Sequence, residues 1–339
     1  LILGLAILAI CLLPLAILAC GVLFSAALEQ KRRLLEAHGQ TMLALIAAVD
    51  SELRSSISAL QAFSARQRLA AADFPALHAE ARLLLAQQPT WINIVISTPE
   101  AQQVMNAALP LGGSLPRRIA HDAVRATADT QRPHVGNVVW SSALGMHGVA
   151  VHVPYVENGA TRYVLTAAVR PEAFLPLLTQ QAGSQEGVIA LLDRSLHFVT
   201  RSRDAARCVG KPPSAGLLRL MRGEQTSGVA ASLTLEGVPV YSVFHRSSFS
   251  GWAAAIGVPT SVVDAPLHRA YLAWAWGRTQ QARGTVEAPL GRDPANRLKQ
   301  AVRKDGREAI THYTVEARFG DEGWDITRIN CELETGRTH

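Results

Sequence analysis

The first 28 residues, Leu1 to Leu28, contain no charged side chain. A helix needs about 20 predominantly apolar residues to cross the hydrocarbon core of a bilayer. The stretch therefore reads as a transmembrane helix, and whatever folds after it is tethered to a membrane. Pro14 is compatible with such a helix, because neighbouring groups can satisfy the freed backbone. A cleaved signal peptide is the rival reading, but its apolar core is shorter and follows a basic leader. Ile17-Leu18-Ala19-Cys20-Gly21 loosely matches a lipoprotein cleavage box, yet apolar Val22-Leu23-Phe24 stand where polar residues are usual. Lys31-Arg32-Arg33, taken alone, places that flank in the cytoplasm. The chain does not begin with Met, so further residues are expected ahead of Leu1. Only basic charge among them would offset that placement, an objection that stands open.

A chain of 339 residues with 48% apolar content has room for two domains and a substantial core. Its net charge of +6 is too modest to be a nucleic-acid signature by itself. Of the four cysteines, Cys11 and Cys20 lie in the apolar opening, while Cys208 and Cys331 are far apart. Without a Cys-x-x-Cys spacing, neither a zinc site nor a redox motif is expected. The eleven histidines show no paired metal spacing; His147 and His152, five apart in one strand, fall on opposite faces. Phosphate-binding Gly loops and the Gly-x-Ser-x-Gly elbow are also missing. No metal and no cofactor are expected.

Between Glu29 and Leu69, Met42, Ile46, Val49, Leu53, Ile57, Leu60 and Phe63 recur at steps of three and four, the stripe of an amphipathic helix. A second helix is predicted over Pro75–Gln88 with Asp73 as its N-cap. Short strands follow: 91–96, 103–107, 135–140, 148–156 and 162–169, with a helix over 119–128. Glu157-Asn158-Gly159 reads as a hairpin turn. The order then partly repeats, with a helix over 171–179 and strands at 187–192, 197–202, 228–235, 239–245 and 252–258. The expected fold class is α+β: a transmembrane helix, a long helix, two tandem antiparallel-sheet modules, and a small β-rich tail.

Several stretches in this order resemble the double Cache sensor domains of bacterial membrane receptors. They are Pro89-Thr90-Trp91, Leu109-Pro110-Leu111-Gly112, Val153-Pro154-Tyr155, Tyr163-Val164-Leu165 and Leu191-Leu192-Asp193-Arg194. Thr200-Arg201-Ser202, Gly237-Val238-Pro239-Val240, Ser250-Gly251-Trp252-Ala253 and Gly257-Val258-Pro259 continue the series. The resemblance covers about residues 29–268, with a distal module at 75–185 and a proximal one at 186–262. It implies two PAS-like modules in an extracytoplasmic domain on the bacterial inner membrane, which binds a small molecule. Such a domain signals to a kinase, a cyclic-dinucleotide enzyme or a methyl-accepting module, with a histidine-kinase-type output as the leading choice. Such receptors often act as homodimers. In the region where the family holds its ligand lie Trp91, Arg118, Trp140, His147 and Tyr155. Arg118 is suited to a carboxylate and the aromatics to a pocket wall. The plainer alternatives are core positions for Trp91 and Tyr155 and a solvated helix position for Arg118. No particular ligand is implied.

From Ala282 the texture changes. Gly284-Thr285-Val286, Leu290-Gly291-Arg292-Asp293-Pro294, Asp305-Gly306-Arg307 and Leu333-Glu334-Thr335-Gly336-Arg337 resemble the second half of the RluA-type pseudouridine synthase catalytic domain over 282–339. Such enzymes isomerise uridines in RNA without a cofactor. The segment 278–307 holds eight Lys/Arg against three Asp/Glu, a balance suited to phosphate contacts. Arg292, Arg297, Lys299 and Arg337 are the vestigial RNA-binding candidates. The family's catalytic aspartate follows His-Arg-Leu, whereas His245-Arg246 here precedes Ser-Ser and His268-Arg269 precedes Ala-Tyr. Without the nucleophile the tail is expected to be inactive, and no catalytic residue is assigned. Residues 269–281 read as a second membrane span cut short, since Tyr271-Leu272-Ala273-Trp274-Ala275-Trp276 runs into Arg278 far short of about 20 residues. The leading reading is a sensor whose output module is missing. The alternatives are an RNA pseudouridine synthase and an extracytoplasmic binding protein that signals to nothing.

Overall fold

The computed structural model describes residues 2–65, 67–115, 121–141, 144–182, 187–264, 271–277, 279, 281–292, 300–320 and 326–333. Within these, the side chains of 2–21, 23, 24, 67, 68, 181, 182, 271–274, 276, 292 and 300 are not described. The chain divides into one unit of residues 35–260 and another of 1–34 with 261–339.

Helix α1 runs Ile2–Ser64, followed by the short α2 (Gln67–Ala70) and by α3 (Phe74–Gln87). The stripe from Met42 to Phe63 is buried at every one of its seven positions, so the helical period found the core-facing side. Asp73 caps α3 by accepting the Ala76 amide at 3.2 Å. Two sheets of identical layout follow.

The first contains β1 (Trp91–Ser97), β2 (Gln103–Asn106), β3 (His134–Ser141), β4 (Met146–Glu157) and β5 (Ala160–Val169), in the order β2-β1-β5-β4-β3. Helix α4 (His121–Thr130) packs on it through Val124 and Ala128 against Val164. Asn158 and Gly159 both have positive φ, 53° and 79°, the backbone that a two-residue hairpin between right-twisted strands requires.

A 3-10 turn (Pro171–Phe174) and α5 (Leu175–Ala182) lead to the second sheet. It contains β6 (Val188–Leu192), β7 (Phe198–Arg201), β8 (Ser227–Leu233), β9 (Pro239–Arg246) and β10 (Ala253–Pro259), in the order β7-β6-β10-β9-β8. Helices α6 (Ala205–Cys208) and α7 (Ala215–Met221) belong to this module. Met221, Phe198, Leu192 and Phe244 form its core.

The two modules share more than strand order. In the first, Val95 pairs with Asn106, Ile96 with Met105 and Ser97 with Gln103, with a bulge between Ile96 and Ser97. In the second, Ala190 pairs with Arg201, Leu191 with Thr200 and Leu192 with Phe198, with a bulge between Leu191 and Leu192. Arg201 therefore holds the place in the proximal module that Asn106 holds in the distal one.

Three contacts join the modules to each other and to α1. The fully buried Trp252 packs edge-on to Phe174 and donates its indole N–H to the Gly136 carbonyl. The Val138 amide donates to Asp193 Oδ2 at 3.0 Å. The hydroxyls of Ser247 and Ser250, in the β9–β10 turn, donate to the Asp50 carboxylate of α1 at 2.7 and 2.9 Å.

In the other unit, α8 (Thr260–Val263) begins in the preceding unit and precedes β11 (Tyr271–Trp276), β12 (Arg283–Glu287), β13 (Leu290–Arg292), β14 (Gln300–Val302), β15 (Ile310–Phe319) and β16 (Ile326–Leu333). A sheet β11-β16-β15-β12 and a pair β13-β14 result. This corrects one expectation: Tyr271–Trp276 is a strand and not the start of a helix. Its Tyr and Trp residues favour strands, and β16 pairs with it along its length, from Tyr271↔Cys331 to Trp276↔Ile326. Among the described residues, no helix is long and apolar enough to cross a membrane.

Candidate functional site

The distal sheet carries a cavity on the face covered by α4. Its volume is ≈ 70 Å³, and Asn93, Gln103, Asn106, Val124, His152 and Thr166 are among its lining residues. Alternation along β1 would place Trp91 on this face together with Asn93 and Val95. A bulge between Trp91 and Asn93 in the pairing with β5 breaks the alternation and turns Trp91 to the α1 side. There its indole N–H donates to Ser56 Oγ at 3.3 Å.

The polar lining groups are organised by one another. Asn93 Nδ2 donates to Asn106 Oδ1 at 2.9 Å, and Asn106 Nδ2 donates to Gln103 Oε1 at 3.0 Å. The Ala108 amide donates to both Asn93 Oδ1 and Asn106 Oδ1. All three amide side chains are buried, and such a network fixes their orientations.

His152 lies opposite, with Nδ1 2.8 Å from Thr166 Oγ1. The residue is fully buried, and its Nε2 has no hydrogen-bond partner among the described residues. Burial, reinforced by the neighbouring His134 imidazole, lowers its pKa to about 3, so the ring is neutral near neutral pH. A buried ring nitrogen without a partner is costly unless something else supplies one. No charged side chain occurs among the described lining residues. A Cβ at position 136 would come within 3.4 Å of that nitrogen and 3.1 Å of the Ala150 carbonyl, so the glycine leaves room beside it.

The sequence candidates lie elsewhere. Trp91 is buried against α1. Trp140 and His147 meet edge-on at 5.0 Å, and Trp140 is 58% exposed. Tyr155 stacks on Tyr163 at 6.4 Å, which in turn meets Phe74. None of these four lines the cavity. Arg118, Arg297, Lys299 and Arg337 lie outside the described residues, as does the side chain of Arg292. Asn93, Asn106 and His152 were missed because isolated polar residues inside apolar strands carry no motif. The available signal was a polar residue interrupting a buried run, as in Ile92-Asn93-Ile94 and Val151-His152-Val153. No group of three or more potential metal ligands occurs among the described residues.

Tandem modules with this sheet order, behind a long helix and with a distal cavity, define the double Cache fold. The ligand-binding domain of the Pseudomonas fluorescens chemoreceptor CtaA, solved with L-isoleucine, matches 71% of this chain and 99% of its own (TM-score 0.53, 11% identity). The extracellular domain of soHK1S-Z6, described as a histidine kinase, matches 70% of this chain and 98% of its own (TM-score 0.53, 13% identity). The Campylobacter jejuni chemoreceptor Tlp3 domain with 4-methylisoleucine matches 70% and 95% (TM-score 0.50, 9% identity).

Sequence relatives belong to the second resemblance. Ribosomal large subunit pseudouridine synthase D of Xanthomonas campestris is 40% identical over 114 residues, 31% of this chain and 33% of that protein. The uncharacterised RNA pseudouridine synthase YlyB of Bacillus subtilis is 41% identical over 78 residues, 23% and 24%. The chain thus spans a third or less of the length of these relatives. No family model matches the chain.

Proposed function

We propose that this chain is the membrane-anchored, extracytoplasmic small-ligand sensor of a histidine-kinase-type receptor, held in the bacterial inner membrane by residues 1–28 and acting as a homodimer. The observation that carries the reading is the distal cavity, lined both by His152, whose Nε2 has no hydrogen-bond partner among the described residues, and by a fixed Asn93–Asn106–Gln103 amide network. The amino acids named for the CtaA and Tlp3 complexes carry a carboxylate and an ammonium. The described lining here is uncharged, which favours an uncharged ligand with a hydroxyl or amide to meet His152. An engineered cavity of about 150 Å³ holds benzene, so ≈ 70 Å³ suits a molecule of a few heavy atoms. Trp140, His147 and Tyr155 remain candidates for a rim contact; Arg118 would become a partner only for a carboxylate ligand, which the uncharged lining disfavours.

The test is a thermal-shift screen of the full chain against small alcohols, amides and amino acids, repeated on Asn93→Ala and His152→Gln. A hit that both substitutions weaken at least tenfold supports the reading. A hit that neither affects, or none at all, sinks it. The identity with pseudouridine synthases over 31% of the chain supports a second reading, an RNA-modifying tail whose parent enzyme isomerises uridine. Tritium release from 5-tritiated RNA tests it; release above background would favour this reading over the first.

A further inference from the structure

The proximal module has a cavity of its own, ≈ 40 Å³, on the sheet face that corresponds to the distal one. Phe198, Leu217, Val240 and Ala255 give it apolar walls, and Arg201 is the one charged residue among its described lining residues. Arg201 is only 3% exposed, a position where arginine is rare unless its guanidinium is paired. Through the shared strand register it occupies the place of Asn106, a lining residue of the distal cavity.

Cys208 of the core meets Arg201, but the charged partner comes from elsewhere. Glu236 sits at the tip of the β8–β9 hairpin and meets the guanidinium with both oxygens, at 2.6 and 2.8 Å. The Glu236 side chain is 35% exposed. Around it, Leu235 and Val238 are 48% and 40% exposed, so raising the tip would give up little apolar burial. The tip folds on itself through Gly237 N–H to the Thr234 carbonyl and Glu236 N–H to Thr234 Oγ1, so it can move as one piece. The bond to Arg201 holds the Glu236 carboxyl at about 2, and the pair stays charged across the physiological range.

We propose that the proximal module is a second ligand site, specific for a short monocarboxylate that replaces the Glu236 carboxylate on Arg201. A guanidinium fork accepts any planar carboxylate in two parallel hydrogen bonds. The hairpin supplies one from within the chain, and a free acid of two or three carbons fits the space that this carboxylate leaves. A tethered group competes at an effective concentration in the millimolar range, so the free acid binds weakly until the tip lifts. The site is separate from the distal cavity and does not rest on the reading given for it.

The test titrates the full chain with sodium acetate against sodium chloride at equal ionic strength, following the melting temperature and the heat of binding. The wild type should show a saturable response to acetate beyond chloride. Glu236→Gln should lower the half-saturating concentration at least tenfold, and Arg201→Gln should abolish the response in both backgrounds. His152→Gln should leave it unchanged, which separates failure here from failure of the distal reading. Equal responses to acetate and chloride in the wild type overturn the proposal, even if Glu236→Gln does not fold. Acetate binding that survives the loss of Arg201 overturns it as well.

Discussion

His152 must keep its ring neutral to stay where it is. Nδ1 meets a hydroxyl, Nε2 has no hydrogen-bond partner among the described residues, and His134 lies 6.4 Å away, centroid to centroid. Burial first, and Arg194 second, disfavour a proton on His134. The folded-state pKa of about 3 lies below the ordinary imidazole value of 6.5. Between these limits the unfolded chain binds the proton and the folded chain does not, so stability is complete above pH 6.5 and is lost as pH falls towards 3. The slope contributed is at most about 1.4 kcal/mol per pH unit. We expect urea unfolding at pH 7, 6 and 5 to show a steeper loss for the wild type than for His152→Gln; equal slopes would contradict the buried neutral ring. At this scale the sequence was least legible. Period-2 alternation assigns strand faces, but one bulge moved Trp91 to the α1 side, and bulges carry no residue signature here.

Elements were far more legible, because their signals are local. Asp73 caps α3, Asn158-Gly159 turns β4 into β5, and the Met42–Phe63 stripe is buried, each for a reason visible within a few residues. Tyr271–Trp276 went wrong because six apolar residues have no decisive period, and its partner β16 is more than fifty residues further along. Between elements, the Asp50 carboxylate holds the β9–β10 turn against α1, and the Ser247 hydroxyl also accepts the Phe249 and Ser250 amides. A hydrogen bond to a charged group is worth about 1.5–3 kcal/mol. Asp50→Ala should therefore cost about 2–4 kcal/mol by chemical denaturation, and Ser247→Ala about 1–2 kcal/mol. The double variant should lose less than the sum, because the two share one contact. Full additivity would mean that the turn is held by something else.

For the whole molecule, two halves with different resemblances share one chain, and each makes a different demand on location. The double Cache fold was legible as a sequence of small pieces in order. The cavity was not, because it arises only when five strands and α4 are assembled. The enzyme-like tail lacks the His-Arg-Leu-Asp nucleophile, so we expect no uridine isomerisation by the full chain in the tritium-release assay. Membrane attachment separates the remaining readings. Two forces could hold the chain to a bilayer: burial of the 28 uncharged residues, or attraction of a +6 protein to anionic lipid. The second is screened over about 10 Å at 0.1 M salt; the first is not. Each Leu or Ile at a span's centre is worth about 0.3–0.6 kcal/mol of insertion, and residues 1–28 hold fourteen of these two types. The full chain should therefore stay in the membrane pellet through high-salt and alkaline washes and leave only with detergent. A chain beginning at Glu29 should appear in the soluble fraction. Release of the full chain by salt alone would mean that the opening segment does not span, and the sensor would then need another anchor.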